Sequence, residues 1–225
     1  MLALNPQRLQ LAPRTALTII DATVSSVALG VAGAALTLLL ALPLAFLTVR
    51  YDGRLTVILE RTAYLAQGVP GIVVALALVS LTITSVRFLY QSAFVLIVAY
   101  AILFLPLALV AVRAALSQGQ RNLEEAGRSL GLGWLAVVWR VVVPLAAPGL
   151  GAAAAMVFIS VSTELTTTLI LSPTGTRTLA TQVWANTSAL AFAAAAPYAA
   201  LLAVMSLISS WLLARRFAAI ALLSN

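Results

Sequence analysis

Residues 22–49 read ATVSSVALGVAGAALTLLLALPLAFLTV, with no charged side chain between Asp21 and Arg50. A helix needs about 20 residues to cross about 30 Å of hydrocarbon, so this run is long enough to span a bilayer. It is also too long for the apolar core of a signal peptide. Moving outward, similar runs recur at residues 62–86, 88–112, 141–166 and 190–214, interrupted by charge only at Glu164. The whole chain of 225 residues is 63% hydrophobic and 8% charged, against about 25% charged in an ordinary soluble domain. Five successive apolar runs leave no polar faces to meet water. The sequence therefore predicts a single all-α integral membrane domain over residues 1–225, with about five transmembrane helices.

The charges also fix what the chain cannot do. Every one of its 13 basic residues is Arg, it has neither His nor Cys, and its acids are Asp21, Asp52, Glu60, Glu124, Glu125 and Glu164. This inventory excludes disulfides, imidazole or thiolate metal sites, and catalysis by a Ser/His or Cys/His pair. No cofactor site and no enzyme chemistry are expected. A net charge of +7 would suggest nucleic acid in a soluble chain; here the Arg residues stand between apolar runs, and the partner they indicate is membrane lipid.

Arg placement sets orientation. With the N-terminus outside, the inner segments hold Arg50, Arg54, Arg61, Arg113, Arg121, Arg128, Arg140, Arg215 and Arg216, and the outer ones Arg8, Arg14, Arg87 and Arg177. The excess on one side satisfies the positive-inside rule. Residues 113–143 then form a cytoplasmic loop and residues 167–189 an outer one. An outside N-terminus with no earlier helix is awkward to insert, which leads to the expectation of a further helix upstream.

Within the spans, Gly30, Gly33, Gly149, Gly151 and several alanine clusters permit close helix approach. Pro43, Pro70, Pro106 and Pro197 are candidates for kinks or breaks. The run QGVPG at residues 67–71 is the strongest break, expected near the inner end of the second span, and makes Pro70 and Gly71 candidates for a hinge or cavity wall.

The inner loop carries a more specific pattern. Residues 122–144 read NLEEAGRSLGLGWLAVVWRVVVP. Asn122 can cap a short helix and Glu125 can reach back to it, with Glu124 and Glu125 at the positive helix end. Leu123, Ala126 and Leu130 recur at helical spacing, Gly131 ends the helix, and a second helical stretch is expected over residues 134–142. Physics alone reads this as a docking surface.

The loop resembles the signature of ABC importer permeases: Glu-Ala-Ala, three residues, Gly, nine residues, then Ile, any residue, Leu-Pro. Glu125 and Ala126 match it, Gly127 replaces the second Ala, Gly131 falls after the three-residue gap, and Val141, Val143 and Pro144 close it. The resemblance implies that Glu124, Glu125, Ala126, Gly127, Leu130, Gly131 and Pro144 belong to a coupling helix that docks on a cytoplasmic ATPase subunit. The chain has no Lys and hence no phosphate loop of the usual kind. ATP would be used by the partner.

Residues 158–181, FISVSTELTTTLILSPTGTRTLAT, together with VPGIV at 69–73 and RAAL at 113–116, resemble the C-terminal half of ferric-iron permeases. That group also includes thiamine, aminoethylphosphonate and polyamine permeases. The resemblance implies a bacterial inner-membrane importer, a second permease half or identical subunit, and an extracytoplasmic binding protein that itself ligates the ion. Glu164, counted about 30 Å along a helix from Pro144, is expected near the outer end of the fourth span. There it is either an interfacial acid, hydrated or paired with Arg177, or, with Thr163 beside it, a gate for a cationic substrate. An ion-driven secondary transporter would need ionisable groups near the bilayer midplane, and a membrane anchor would need no docking loop.

Overall fold

The computed structural model describes residues 6–51, 53–117 and 129–223. The described residues are helical, with no strand among them. Helix α1 spans Pro6–Arg50, α2 Arg54–Leu65, α3 Gly71–Ser85 and α4 Ala93–Ser117. After the undescribed part of the inner loop come α5, Trp134–Val137, and α6, Val143–Thr163. Then follow α7, Thr166–Leu171, α8, Leu179–Ser188, and α9, Phe192–Leu223.

Among the described residues, four helical segments are long and apolar enough to cross a membrane: Ala16–Arg50, Ala93–Ser117, Arg140–Thr163 and Phe192–Trp211. The fifth crossing is not one helix. Residues 62–86 divide between the end of α2, a 3-10 turn at Ala66–Gly68 and the 15-residue α3. The reason is local: Pro70 has no N–H to continue a helical ladder, and it caps α3 in an extended conformation (φ −60°, ψ 142°). Pro106 and Pro197, by contrast, lie inside α4 and α9 without ending them.

The fourth and fifth runs also depart from the expected bounds. Regular α6 stops at Thr163, so the expected span to residue 166 contains a break at Glu164 and Leu165. The expected outer loop at 167–189 is largely helical, since α7 and α8 fill it. The stretch over 134–142 is not a separate helix either, because α5 passes into α6 through a π-helical turn at Val138–Val142. Pro144 cannot donate to the carbonyl four residues back, and a widened turn accommodates that loss.

The packing is that of a lipid-embedded bundle. α1 lies against α4 and α6, α4 against α6, α9 against α6 and α8, and α3 against α7. On α1 the buried positions Ala22, Ser26, Gly30, Gly33, Thr37, Ala41 and Ala45 form a helical stripe of small residues. Large apolar side chains such as Val31, Leu39 and Leu40 point outward, where lipid tails solvate them. Small residues inside allow backbones to approach: a Cβ on Gly149 would stand 2.4 Å from Ala115 Cβ, and one on Gly33 3.2 Å from Val161. Several threonine hydroxyls in these helices are satisfied locally, as when Thr37 Oγ1 donates to Gly33 O (2.6 Å) and Thr82 Oγ1 to Leu78 O (2.7 Å).

Candidate translocation site

Two helix breaks meet in the middle of the bundle. At the first, α2 gives way to α3 at residues 66–70; at the second, α6 gives way to α7 at Glu164 and Leu165. A Cβ on Gly71, the first residue of α3, would lie 2.9 Å from Thr167 Oγ1, 3.4 Å from Glu164 Oε1 and 3.7 Å from Leu103 Cδ1. Glycine is required for that approach. The breaks border an open cavity of about 300 Å³ lined by Gln67, Val69, Gly71, Leu103, Phe104, Leu107, Ser160 and Glu164.

The carboxylate of Glu164 is held by backbone. Its Oε1 accepts the Thr167 N–H at 2.9 Å, which satisfies one of the donors left open at the start of α7. Gly71, the first residue of α3, packs against the same carboxylate. Thr168 Oγ1 donates to Glu164 O at 2.5 Å and lies 2.6 Å from Tyr100 Oη. Thr168 has spent its only hydrogen on that carbonyl, so Tyr100 donates to Thr168. The chain Tyr100, Thr168, Glu164 thereby ties the second break to the middle of α4.

Glu164 also borders a cavity of about 10 Å³, lined besides by Ser26, Leu29, Tyr100, Val161, Ser162, Thr168 and Thr178. That volume is about one water molecule. The buried oxygens of Ser162 and Thr167 have no hydrogen-bond partner among the described residues. Behind the cavity, Ser26 Oγ accepts the Leu179 N–H at 2.8 Å, and Thr178 and Thr181 form a capping box that starts α8.

Glu164 follows directly on the end of the apolar segment Arg140–Thr163, the end of the span at which it is expected, and Gly71 approaches both it and Leu103. The chain reaches the outer turn only at Thr174, whose Oγ1 donates to Gln91 at 3.0 Å. The break at 67–71 stands directly before the apolar helix Gly71–Ser85, at the end of the second run where it is expected, with the charged α2 ahead of it.

Of the expected gate residues, Glu164 and Gly71 come together and Pro70 caps the helix that Gly71 begins. Thr163 does not join them, since its hydroxyl donates back to Ile159 O at 2.9 Å. Glu164 forms no ion pair with Arg177. Sequence reasoning missed Tyr100, Ser160 and Ser26; Tyr100 had a signal, as the polar side chain in an otherwise apolar part of α4. Of the loop residues, Glu124, Glu125, Ala126 and Gly127 lie outside the described residues. Leu130 is 83% exposed, Gly131 adopts the left-handed conformation (φ 82°) that suits the end of a helix, and Pro144 stands at the start of α6. Among the described residues no three His, Cys, Asp or Glu side chains gather into a metal site.

The family model for the inner membrane component of binding-protein-dependent transport systems matches residues 36–217, a stretch that takes in both breaks and the inner loop. The chain belongs to this family. The permease is thus a multi-pass membrane subunit of a transport system. It is 42% identical over 181 residues to the Fe(3+)-transport system permease protein FbpB 2 of Haemophilus influenzae, covering 80% of this chain and 36% of that relative. It is 35% identical over 116 residues to the phosphate transport system permease protein PstA 1 of Mycobacterium tuberculosis, covering 49% of this chain and 38% of that protein. The permease therefore spans little more than a third of the length of either relative.

Two solved structures share the fold. An amino acid ABC transporter solved with histidines superposes with a TM-score of 0.66 at 20% identity, over 95% of this chain and 97% of that one. The inward-facing MetNI methionine ABC transporter gives 0.68 at 17% identity, over 89% and 96%.

Proposed function

We propose that the chain is the permease subunit of a binding-protein-dependent ABC importer of the bacterial inner membrane, carrying ferric iron or a related small solute. Thiamine, aminoethylphosphonate and polyamines are the alternative cargoes. The observation that carries this reading is the family match over residues 36–217, and the likeness to an Fe(3+) permease supports the cargo. Cytoplasmic ATPase subunits dock on the loop around Glu124, Glu125, Ala126, Gly127, Leu130, Gly131 and Pro144 and supply the energy from ATP. A second permease half, homologous or identical, completes the path, and an extracytoplasmic binding protein delivers the cargo.

In this reading the paired breaks are the moving part. Irregular backbone at membrane depth is tolerated where it lines a cavity, and two short helices that meet end to side can separate without tearing a continuous ladder. Glu164 offers a passing cation one negative charge, and Gln67 and Ser160 offer polar contacts on the same wall.

The test is co-purification from membranes with candidate ATPase subunits, comparing the unmodified chain with Glu125→Arg and Gly131→Trp at equal membrane abundance. Loss of the ATPase from both variants is the expected result. Retention by both, or no ATPase with the unmodified chain, would overturn the docking assignment.

A further inference from the structure

At the opposite, Arg-rich end of the bundle two cavities of different chemistry share one wall. The first, of about 540 Å³, is lined by Thr48, Tyr51, Gly53, Arg54, Thr56 and Arg113, with Val57 and Ile58 at its side. It lies where α1 ends and α2 begins, beside the last turns of α4. Its floor is a closed turn, since Thr56 Oγ1 donates to Gly53 O at 2.6 Å and accepts the Gly53 N–H at 3.1 Å. The second cavity, of about 520 Å³, is apolar: α1 contributes Leu42, Phe46 and Leu47, α4 contributes Leu116, and α6 contributes Ala146 and Leu150. Tyr51 borders both.

We infer that these joined cavities bind one anionic phospholipid of the inner leaflet, its phosphate between Arg54 and Arg113 and an acyl chain along the groove of α1 and α6. Guanidinium groups match phosphate oxygens in pairs, and basic pockets between helices on the cytoplasmic side suit anionic headgroups. The groove has the right length. From Tyr51 to Leu42 along α1 is nine residues, about 13 Å, close to the roughly 15 Å of one leaflet's hydrocarbon. A free phosphate would use only the basic cavity, and a zwitterionic lipid would gain less from the two cations.

The site lies between the start of α2 and the three helices, α1, α4 and α6, that form the core of the bundle, at the ends nearest the inner loop. A bound lipid would therefore brace the base on which α6 leaves that loop.

The full chain, purified in detergent, is titrated separately with phosphatidylglycerol and phosphatidylcholine of the same acyl chains, and retained lipid is counted by native mass spectrometry. Phosphatidylglycerol is expected to be retained in preference. Arg54→Gln is expected to lower its retention about fivefold, leaving phosphatidylcholine unchanged, while Arg54→Lys keeps most of it. Leu47→Trp, which fills the groove, should lower retention of both lipids. Equal retention of the two lipids by the unmodified chain would overturn the proposal, as would an Arg54→Gln variant that retains phosphatidylglycerol in full. Inorganic phosphate that displaces the lipid at matched concentration would identify a site for the free anion and overturn it too. None of these outcomes depends on the ATPase or on the transported solute.

Discussion

Glu164 and Tyr100 show how far a single side chain can be read. The identity of Glu164 marked it at once, because a lone acid in an apolar run is costly and usually has a task. Its partners were not visible: Thr167 is three residues away, but Gly71 and Tyr100 come from other helices. Glu164→Gln is expected to lower uptake about tenfold with membrane abundance unchanged, the equivalent of one charged contact of roughly 1.5 kcal/mol. Uptake at the unmodified level, with equal protein, would refute a path role. Tyr100→Phe removes the donor to Thr168 and should cost about 1 kcal/mol of stability. A thermal unfolding midpoint in detergent that equals the unmodified chain's would show that the hydrogen bond does not hold the break.

Among the elements, the long helices were legible and the breaks only half so. Residues 22–49 and 88–112 have the composition of a span whatever surrounds them; the first lies wholly within α1, and the second forms α4 from Ala93 onward after a turn at residues 87–92. The run at 62–86 has the same composition, yet Pro70 after Gly68 divides it, whereas Pro106 bends into α4 without ending it. The difference lies in the neighbours, since α4 keeps its ladder with large apolar residues on both sides of Pro106. Small residues decide where helices touch, and α6 makes this testable. Gly149→Val should destabilise the protein by about 1–3 kcal/mol through overpacking against Ala115, while Gly151→Val, with nothing within 4 Å, should be neutral. Equal yields and melting points for the two variants would contradict the close approach of α4 and α6.

For the whole molecule, orientation rests on the Arg distribution and on the two ends of the bundle. Thr174 and Gln91 meet at one end, and Arg54 and Arg113 line a cavity at the other. The chain has no Cys, so single cysteines can report topology directly. Thr174→Cys should react with an impermeant maleimide in intact cells, and Ser117→Cys only after the membrane is opened. The reverse pattern would invert the assignment and move the docking loop to the wrong side. The polar cavity is a property of this scale as well, because it depends on the α2–α3 break and the α6–α7 break meeting.

The sequence by itself determined the class of the molecule: an all-helical membrane protein, with a pattern at residues 122–144 that resembles the signature of the family to which it belongs. These features are local or additive, since hydropathy and charge act on each segment wherever its neighbours lie. The tertiary structure alone decided that the breaks at 66–70 and 164–165 face each other, that Gly71 approaches Glu164 and Thr167, and that Tyr51 joins a basic cavity to an apolar one. Such meetings arise from backbone approach between helices distant in sequence. In lipid that approach is governed by which small residues face inward, a pattern that overall hydrophobicity does not record.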